Sequence, residues 1–175
     1  MNKYDYSEIT KQKVDFTRDI LPLKNILFRT ALRITMNREE SEDIVQDTLL
    51  KLWERRTEMS KINNLEAFAI SAVRNLALDR LALHQNKVIS LNEDLHDTED
   101  NHPSAYDNII NNERTNRIHN LINQLPEKQR TAIQLRDIEG KSYKEIADIM
   151  GISESDVKIN IYRGRDFLKK KCKNL

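Results

Sequence analysis

The sequence predicts an all-α fold of two small helical domains joined by a flexible acidic linker. Only three glycines and three prolines interrupt 175 residues, and apolar residues recur at helical spacing with no strand-like alternation. Residues 91–110 hold six acidic and no basic side chains, whereas the net charge is +2 over residues 1–90 and +5 over residues 111–175. Because the acidic stretch also lacks an apolar period, we expect it to be the linker between the domains.

Three helices are expected in the first domain, residues 21–90, after a polar N-terminal extension of residues 1–20. The first helix ends near Asn37 and carries the apolar stripe Leu23, Ile26, Leu27, Ala31 and Ile34. Asn37, with Glu40 three residues later, predicts the N-cap of the second helix. The apolar face of that helix comprises Ile44, Val45, Thr48, Leu49, Leu52 and Trp53. Packed together, such amphipathic helices form a bundle.

The third helix is expected to begin after Asn63, with Glu66 at its third position. Its predicted buried stripe comprises Phe68, Ala72, Leu76 and Leu83. After the linker, helices resume at about residues 105–125 in the second domain, residues 111–175. Pro126 predicts the first turn of a further helix, and Gly140 its end.

Two short capped helices close the second domain. Ser142 with Glu145 forms a capping-box pattern, Gly151 suits a left-handed C-cap, and Ser153 with Asp156 caps the last helix. This is the helix-turn-helix pattern, whose second helix enters the DNA major groove. Its outward face carries residue types suited to base edges and phosphates: Lys158, Asn160, Tyr162, Arg163 and Arg165. The alternative, a helical hairpin with a solvated basic face, is less favoured because caps, turn glycine and basic face agree.

Two further surface patches are candidates for binding. Gln46, Asp47, Leu50 and Trp53 adjoin the apolar face of the second helix, which is either a solvated amphipathic helix or a docking surface for a partner helix. On the third helix, charged and amide side chains close to an aromatic ring suit a single nucleic-acid strand, although such residues are common on any solvated helix. These residues are Phe68, Arg74, Asn75 and Arg80.

The pattern does not predict an enzyme. There is no glycine-rich phosphate loop, the four histidines do not pair at metal-ligand spacing, and Cys172 is the only cysteine. We therefore expect no catalytic residues, no cofactor, no metal and no small-molecule substrate. No apolar run approaches the ~20 residues of a membrane span. The N-terminus lacks a secretory apolar core, so we expect a cytoplasmic protein without membrane insertion.

Three phrases in order resemble the bacterial RNA polymerase sigma factors, specifically the small extracytoplasmic-function (ECF) group of the sigma-70 family. They are EDIVQDTLLKLW, AVRNLALDRL and LPEKQRTAIQLRDIEGKSYKEIADIMGISESDVKINIYRGR. The resemblance covers residues ~20–172. It implies that residues 21–90 are sigma region 2 and residues 111–175 sigma region 4, with the acidic linker in the RNA-exit path of the polymerase.

The resemblance also implies roles for individual residues. Core RNA polymerase would be bound by Asp43, Gln46, Asp47, Leu50 and Trp53. The −10 promoter element would be melted and bound by Phe68, Arg74, Asn75 and Arg80. The −35 element would be bound by Lys158, Asn160, Tyr162 and Arg163, with Arg165 suited to phosphates. Four positions depart from the family pattern: Arg80 replaces a tyrosine, Ser155 and Asp156 stand where Gly and Thr are common, and Ile159 replaces a usually small polar residue.

The sequence thus predicts a sigma factor that directs promoter-specific transcription initiation, with an anti-sigma factor as a further partner. The alternative is a stand-alone helix-turn-helix regulator that binds operator DNA. Such a regulator usually needs a dimerisation element, and the chain shows no sustained heptad repeat. The first domain would also be left without a role.

Overall fold

A computed structural model describes residues 14–91 and 113–173, apart from the side chains at 60, 85–91 and 113–115. Seven α-helices occur in these ranges, with no strand among the described residues. They are α1 (Lys24–Thr35), α2 (Arg38–Glu54), α3 (Leu65–Leu91), α4 (Glu113–Asn123), α5 (Glu127–Ile133), α6 (Tyr143–Met150) and α7 (Glu154–Cys172). The predicted all-α fold is confirmed. Residues 92–110 of the predicted linker and residues 1–13 of the predicted extension lie outside the described residues.

The first domain is a bundle of α1, α2 and α3. Asn37 caps α2 as predicted, since its Oδ1 accepts a hydrogen bond from the Glu40 amide at 3.0 Å. The predicted apolar stripe of α1 is confirmed for Ile26, Leu27, Ala31 and Ile34, which are buried, whereas Leu23 precedes the helix in a 3-10 turn and is half-buried. Ahead of α1, residues Phe16–Ile20 form one π-helical turn, and Ile20 is fully buried.

Two predictions for α3 are wrong. The helix is capped by Asn64 rather than Asn63, because the Asn64 Oδ1 accepts from the Ala67 amide at 2.9 Å. Its buried side comprises Ala69, Ile70, Val73 and Ala77, whereas Phe68 and Leu83 are exposed. Apolar residues occur on nearly every side of this helix, so their spacing alone does not identify the side that faces the bundle.

The second domain packs α4, α5 and α6 around α7. Helix α5 ends at Ile133 and continues as a π-helical turn, Gln134–Ile138, rather than as a regular helix to Gly140. Ile133 and Leu135 are buried there, while Ile138 is exposed. On α7, Val157 and Ile161 are buried.

The two domains also pack against each other, and their buried residues form one continuous core. Helix α1 contacts α5 and the turn after it, and α3 contacts α6. At this interface, Arg29 donates from Nε and Nη2 to the two carboxylate oxygens of Glu139, at 2.8 and 2.7 Å. Lys141 and Glu66 form a second ion pair across it, at 2.6 Å.

The side chain of Arg33 joins the first domain to the second. Its guanidinium donates to three partners on the second domain: Gln134 Oε1 at 3.0 Å, Asn123 Oδ1 at 2.6 Å and His119 Nδ1 at 2.9 Å. Burial, together with the nearby charge of Arg130, lowers the pKa of Arg33 to about 10. The structure therefore holds a desolvated cation between the domains and compensates it with hydrogen bonds.

Candidate DNA-binding and docking surfaces

The helix-turn-helix is built by local hydrogen bonds. Ser142 Oγ accepts from the Glu145 amide at 3.2 Å, and the Glu145 carboxylate accepts from the Ser142 amide at 2.9 Å, so the predicted capping box is present. The Ser142 hydroxyl and amide hydrogen bonds lower the pKa of Glu145. Gly151 has φ 65°, the left-handed conformation that favours glycine, and Ser153 caps α7 through the Asp156 amide at 3.0 Å.

The five predicted −35 contacts differ in their surroundings. Tyr162 is 73% exposed, and Arg163 is also exposed. Asn160 is half-buried and donates to the Asp156 carbonyl at 2.8 Å. Arg165 is exposed but donates to both carboxylate oxygens of Asp137, at 3.1 and 2.5 Å, so its charge is partly compensated within the protein.

Lys158 belongs to a cation–aromatic stack that the sequence interpretation missed. Its Nζ lies 5.5 Å from the ring centroid of Tyr143, and the guanidinium of Arg136 lies 4.6 Å from the same centroid. Arg136 also donates to the Lys141 carbonyl at 2.7 Å. Helical spacing could not reveal this stack, because its members come from three separate elements.

An apolar groove lies on the exposed face of α2. Its walls are Phe16, Gln46, Leu49, Leu50 and Trp53. The Phe16 ring packs edge-on against Trp53 with the ring centroids 5.1 Å apart. Leu50 is 60% exposed, which leaves a large aliphatic side chain in water. A groove of this kind suits the apolar face of a partner helix.

The sequence interpretation found Gln46, Leu50 and Trp53 in this groove but missed Phe16 and Arg56. Phe16 belongs to the stretch that the sequence assigned to the polar extension. The Arg56 guanidinium lies 4.0 Å from the Trp53 ring centroid. Asp43 is exposed on the same helix.

Asp47 and Arg80, predicted to bind polymerase and DNA respectively, contact each other. Arg80 Nη2 donates to the Asp47 carboxylate at 2.9 Å, and Arg80 Nη1 donates to Glu40 at 3.3 Å. His84 Nε2 lies 3.2 Å from the other oxygen of Glu40. The structure thus places Arg80 against α2, between the two predicted surfaces.

The remaining predicted −10 residues lie on different sides of α3. Phe68 and Asn75, seven residues apart, are both exposed and share one side of the helix. Arg74 is only 7% exposed, and its Nη2 donates to Glu127 of the second domain at 3.3 Å. Among the described residues, the buried Arg74 Nε has no hydrogen-bond acceptor. The packed second domain therefore covers Arg74 and leaves Phe68 and Asn75 open.

None of the described helices is long and apolar enough to cross a membrane. The described His, Cys, Asp and Glu side chains form no group of three that could hold a metal ion.

Two family models match the chain. "Sigma-70 region 2" matches residues 20–86, and "Sigma-70, region 4" matches residues 115–168. The ECF RNA polymerase sigma factor SigW of Bacillus subtilis is 26% identical over 100% of this chain and 98% of its own length. The RNA polymerase sigma factor SigZ of the same organism is 30% identical over 73% of this chain and 70% of its own length.

A solved structure is similar over both domains. The sigma factor RpoE of Bartonella quintana, crystallised with the anti-sigma factor NepR, has a TM-score of 0.75 and 26% identity. The match covers 91% of this chain and 97% of that chain. Sigma factors of this family are generally non-enzymatic and direct RNA polymerase in transcription initiation. Two domains in the expected order, together with these matches, place the chain in the sigma-70 family of RNA polymerase sigma factors, within its ECF group.

Proposed function

We propose that this sigma factor uses three separate surfaces during initiation. The α2 groove docks on core RNA polymerase, the exposed side of α3 binds the −10 element, and α7 binds the −35 element. The observation that carries the proposal is the placement of an exposed apolar groove and a helix-turn-helix in different domains. A protein that only bound operator DNA would have no use for the groove.

The residues proposed to contact polymerase and the −10 element are those exposed on α2 and α3. On α2, Asp43, Gln46 and Asp47 surround the exposed Leu50 and Trp53. A charged rim around an apolar centre is the usual anatomy of a protein interface. Within α3, Phe68 and Asn75 reach DNA directly, and Phe68 offers an aromatic face for stacking on an unpaired base.

The domains must separate before every −10 residue can act. Arg74 lies under the second domain and is paired with Glu127, so promoter DNA cannot reach it in the packed arrangement. We therefore assign the packed arrangement to the free protein and a separated one to the holoenzyme. The acidic residues 91–110 then suit a basic channel of the polymerase.

An anti-sigma factor is the proposed regulator. The structurally similar RpoE of Bartonella quintana was crystallised with one, and the match extends over both domains. By holding the domains together, such a partner would keep Arg74 covered. We assign no catalytic step to this chain, because the polymerase forms the phosphodiester bonds, and we place it in the cytoplasm with the polymerase.

Leu50→Ala tests the docking surface directly. The side chain is 60% exposed, so its removal should leave the thermal midpoint unchanged. If a partner helix buries it, losing three carbons weakens binding by about 2 kcal/mol, or about thirty-fold. Core-polymerase affinity would be measured with a labelled full-length chain in titrations of purified core enzyme.

Leu83→Ala is the matched control. Leu83 is 57% exposed on α3 and lies outside the α2 groove, so the Leu83→Ala variant should bind polymerase as the wild type does. Equal affinities for wild type and both variants would reject the α2 groove as the docking site. Absence of any binding by the wild type would favour a stand-alone regulator.

A further inference from the structure

The centre of the exposed face of α7 is apolar. Val157 and Ile161 are buried, and Ile159 lies two residues from each, about 200° around the helix. Ile159 therefore faces directly away from the core, and it is 46% exposed. Tyr162, three residues later, is its neighbour on the helix surface. Together they form a small apolar patch where the recognition helix would meet DNA.

Ile159 lies at the centre of the exposed face of α7, with polar side chains around it. Arg163 lies next to Tyr162, and its side chain makes no hydrogen bond or ion pair to another described residue. Asn160 and Arg165 lie nearer the flanks, where each is already hydrogen-bonded to the protein. An isoleucine cannot form hydrogen bonds to base edges, so its contribution to recognition must come from apolar contact.

In the major groove, the apolar group on a natural base pair is the C5 methyl of thymine. We propose that Ile159 selects thymine in the −35 element by packing on that methyl group. The proposal rests on the proposed function of α7. A cation on the same face agrees with DNA as the occupant, because Arg163 provides charge for phosphate or guanine beside the apolar contact. Burying one methyl group corresponds to about a four-fold gain in affinity.

Replacing thymine with deoxyuridine removes only this methyl group, which makes it the appropriate probe. Full-length protein and core polymerase would first select −35 elements from a randomised promoter library. The selected elements should contain thymine in at least one position. Each thymine would then be replaced singly by deoxyuridine, and holoenzyme affinity measured. At one position or two adjacent positions, the wild type should bind the thymine promoter about four-fold more tightly.

Ile159→Ala should bind the thymine and deoxyuridine promoters equally, at about the wild-type affinity for deoxyuridine. Ile118→Ala is the matched control, because Ile118 is 48% exposed on α4 and outside the proposed surfaces. This control should keep the four-fold preference. Both variants remove an exposed isoleucine, so they also control for any general effect on folding.

Three outcomes would overturn the inference. The wild type could bind thymine and deoxyuridine equally at every position, or Ile159→Ala could retain the preference. Alternatively, Ile159→Ala could weaken core-polymerase binding, which would place this side chain against protein instead of DNA. Failure of the proposed function is distinguishable from these, since the holoenzyme would then select no −35 sequence at all.

Discussion

Neutralising Glu139 should separate the two domains. Its carboxylate is almost fully buried and accepts two hydrogen bonds from Arg29 of the first domain. It also accepts from Gln134 at 2.8 Å, which orients it within its own domain. Glu139→Gln keeps the size of the side chain but replaces one acceptor oxygen with an amide that faces a guanidinium donor. The interface then keeps its buried arginines and loses the carboxylate between them.

The magnitude follows from burial. Breaking a fully buried ion pair costs ~3–5 kcal/mol. About a third of the Arg29 side chain is exposed, so water recovers part of this cost and we expect about 2 kcal/mol. This shifts the equilibrium between packed and separated domains by about thirty-fold. The packing of α1, α2 and α3, and that of α4, α5, α6 and α7, is left intact, so neither domain should unfold.

Single-molecule energy transfer can measure this equilibrium. Cys172 is exposed on α7 and provides one labelling position, and Lys51→Cys on the exposed surface of α2 provides the other. Glu139→Gln should increase the low-transfer population about thirty-fold over the wild type. It should also increase the affinity of the free protein for core polymerase, because the separated arrangement assigned to the holoenzyme is populated more often.

Glu42→Gln is the control for this prediction. It makes the same chemical change in a surface ion pair with Arg38, within α2 and away from the interface. Such pairs contribute ~0–1 kcal/mol, and the transfer distribution should stay that of the wild type. If Glu139→Gln also leaves the distribution unchanged, the ion pair does not hold the domains together and the reasoning fails.

Three other predictions concern the second domain. Gly164→Ala should lower the thermal midpoint of the second domain by several degrees. The new Cβ would lie 2.9 Å from the buried Ile133 Cγ1, and the repacking would cost about 1–2 kcal/mol. An unchanged midpoint would mean that Ile133 moves freely. Arg163→Ala should reduce discrimination among −35 sequences by about 5- to 150-fold while leaving polymerase affinity intact. Unchanged transcription from a selected promoter would reject this orientation of α7. Because folding lowers the pKa of Glu145, its carboxylate stabilises the domain above the ordinary carboxylate pKa, and this stabilisation is lost as the pH falls through the lowered pKa. Ser142→Ala should therefore lower the free energy of unfolding by about 1 kcal/mol at neutral pH and by less in acid. An equal loss at both pH values in thermal melts would contradict the capping account.

Local features of the fold were predictable from sequence because short-range interactions create them. Ser142 and Glu145 form the capping box, and Gly151 adopts the left-handed conformation, as spacing and residue type predicted. Asn37 and Ser153 cap their helices in the predicted places. Each of these bonds joins residues at most four positions apart, so the sequence pattern contains both partners. Where the pattern was ambiguous, as at Asn63 and Asn64 or on the uniformly apolar α3, the prediction was wrong.

The environment of the candidate site residues depended on tertiary structure. Nothing in the local sequence distinguishes Arg74 from an exposed basic residue. The second domain nevertheless buries it and pairs it with Glu127, 53 positions away in the sequence. Arg80 of α3 contacts Asp47 of α2, and Arg33 donates hydrogen bonds to partners about 90 to 100 positions away in the sequence. The residues themselves indicated helices, caps, a recognition helix and the family. Which of their charges are buried, paired or free was decided by domain packing, because desolvation and pairing depend on neighbours that no local pattern contains.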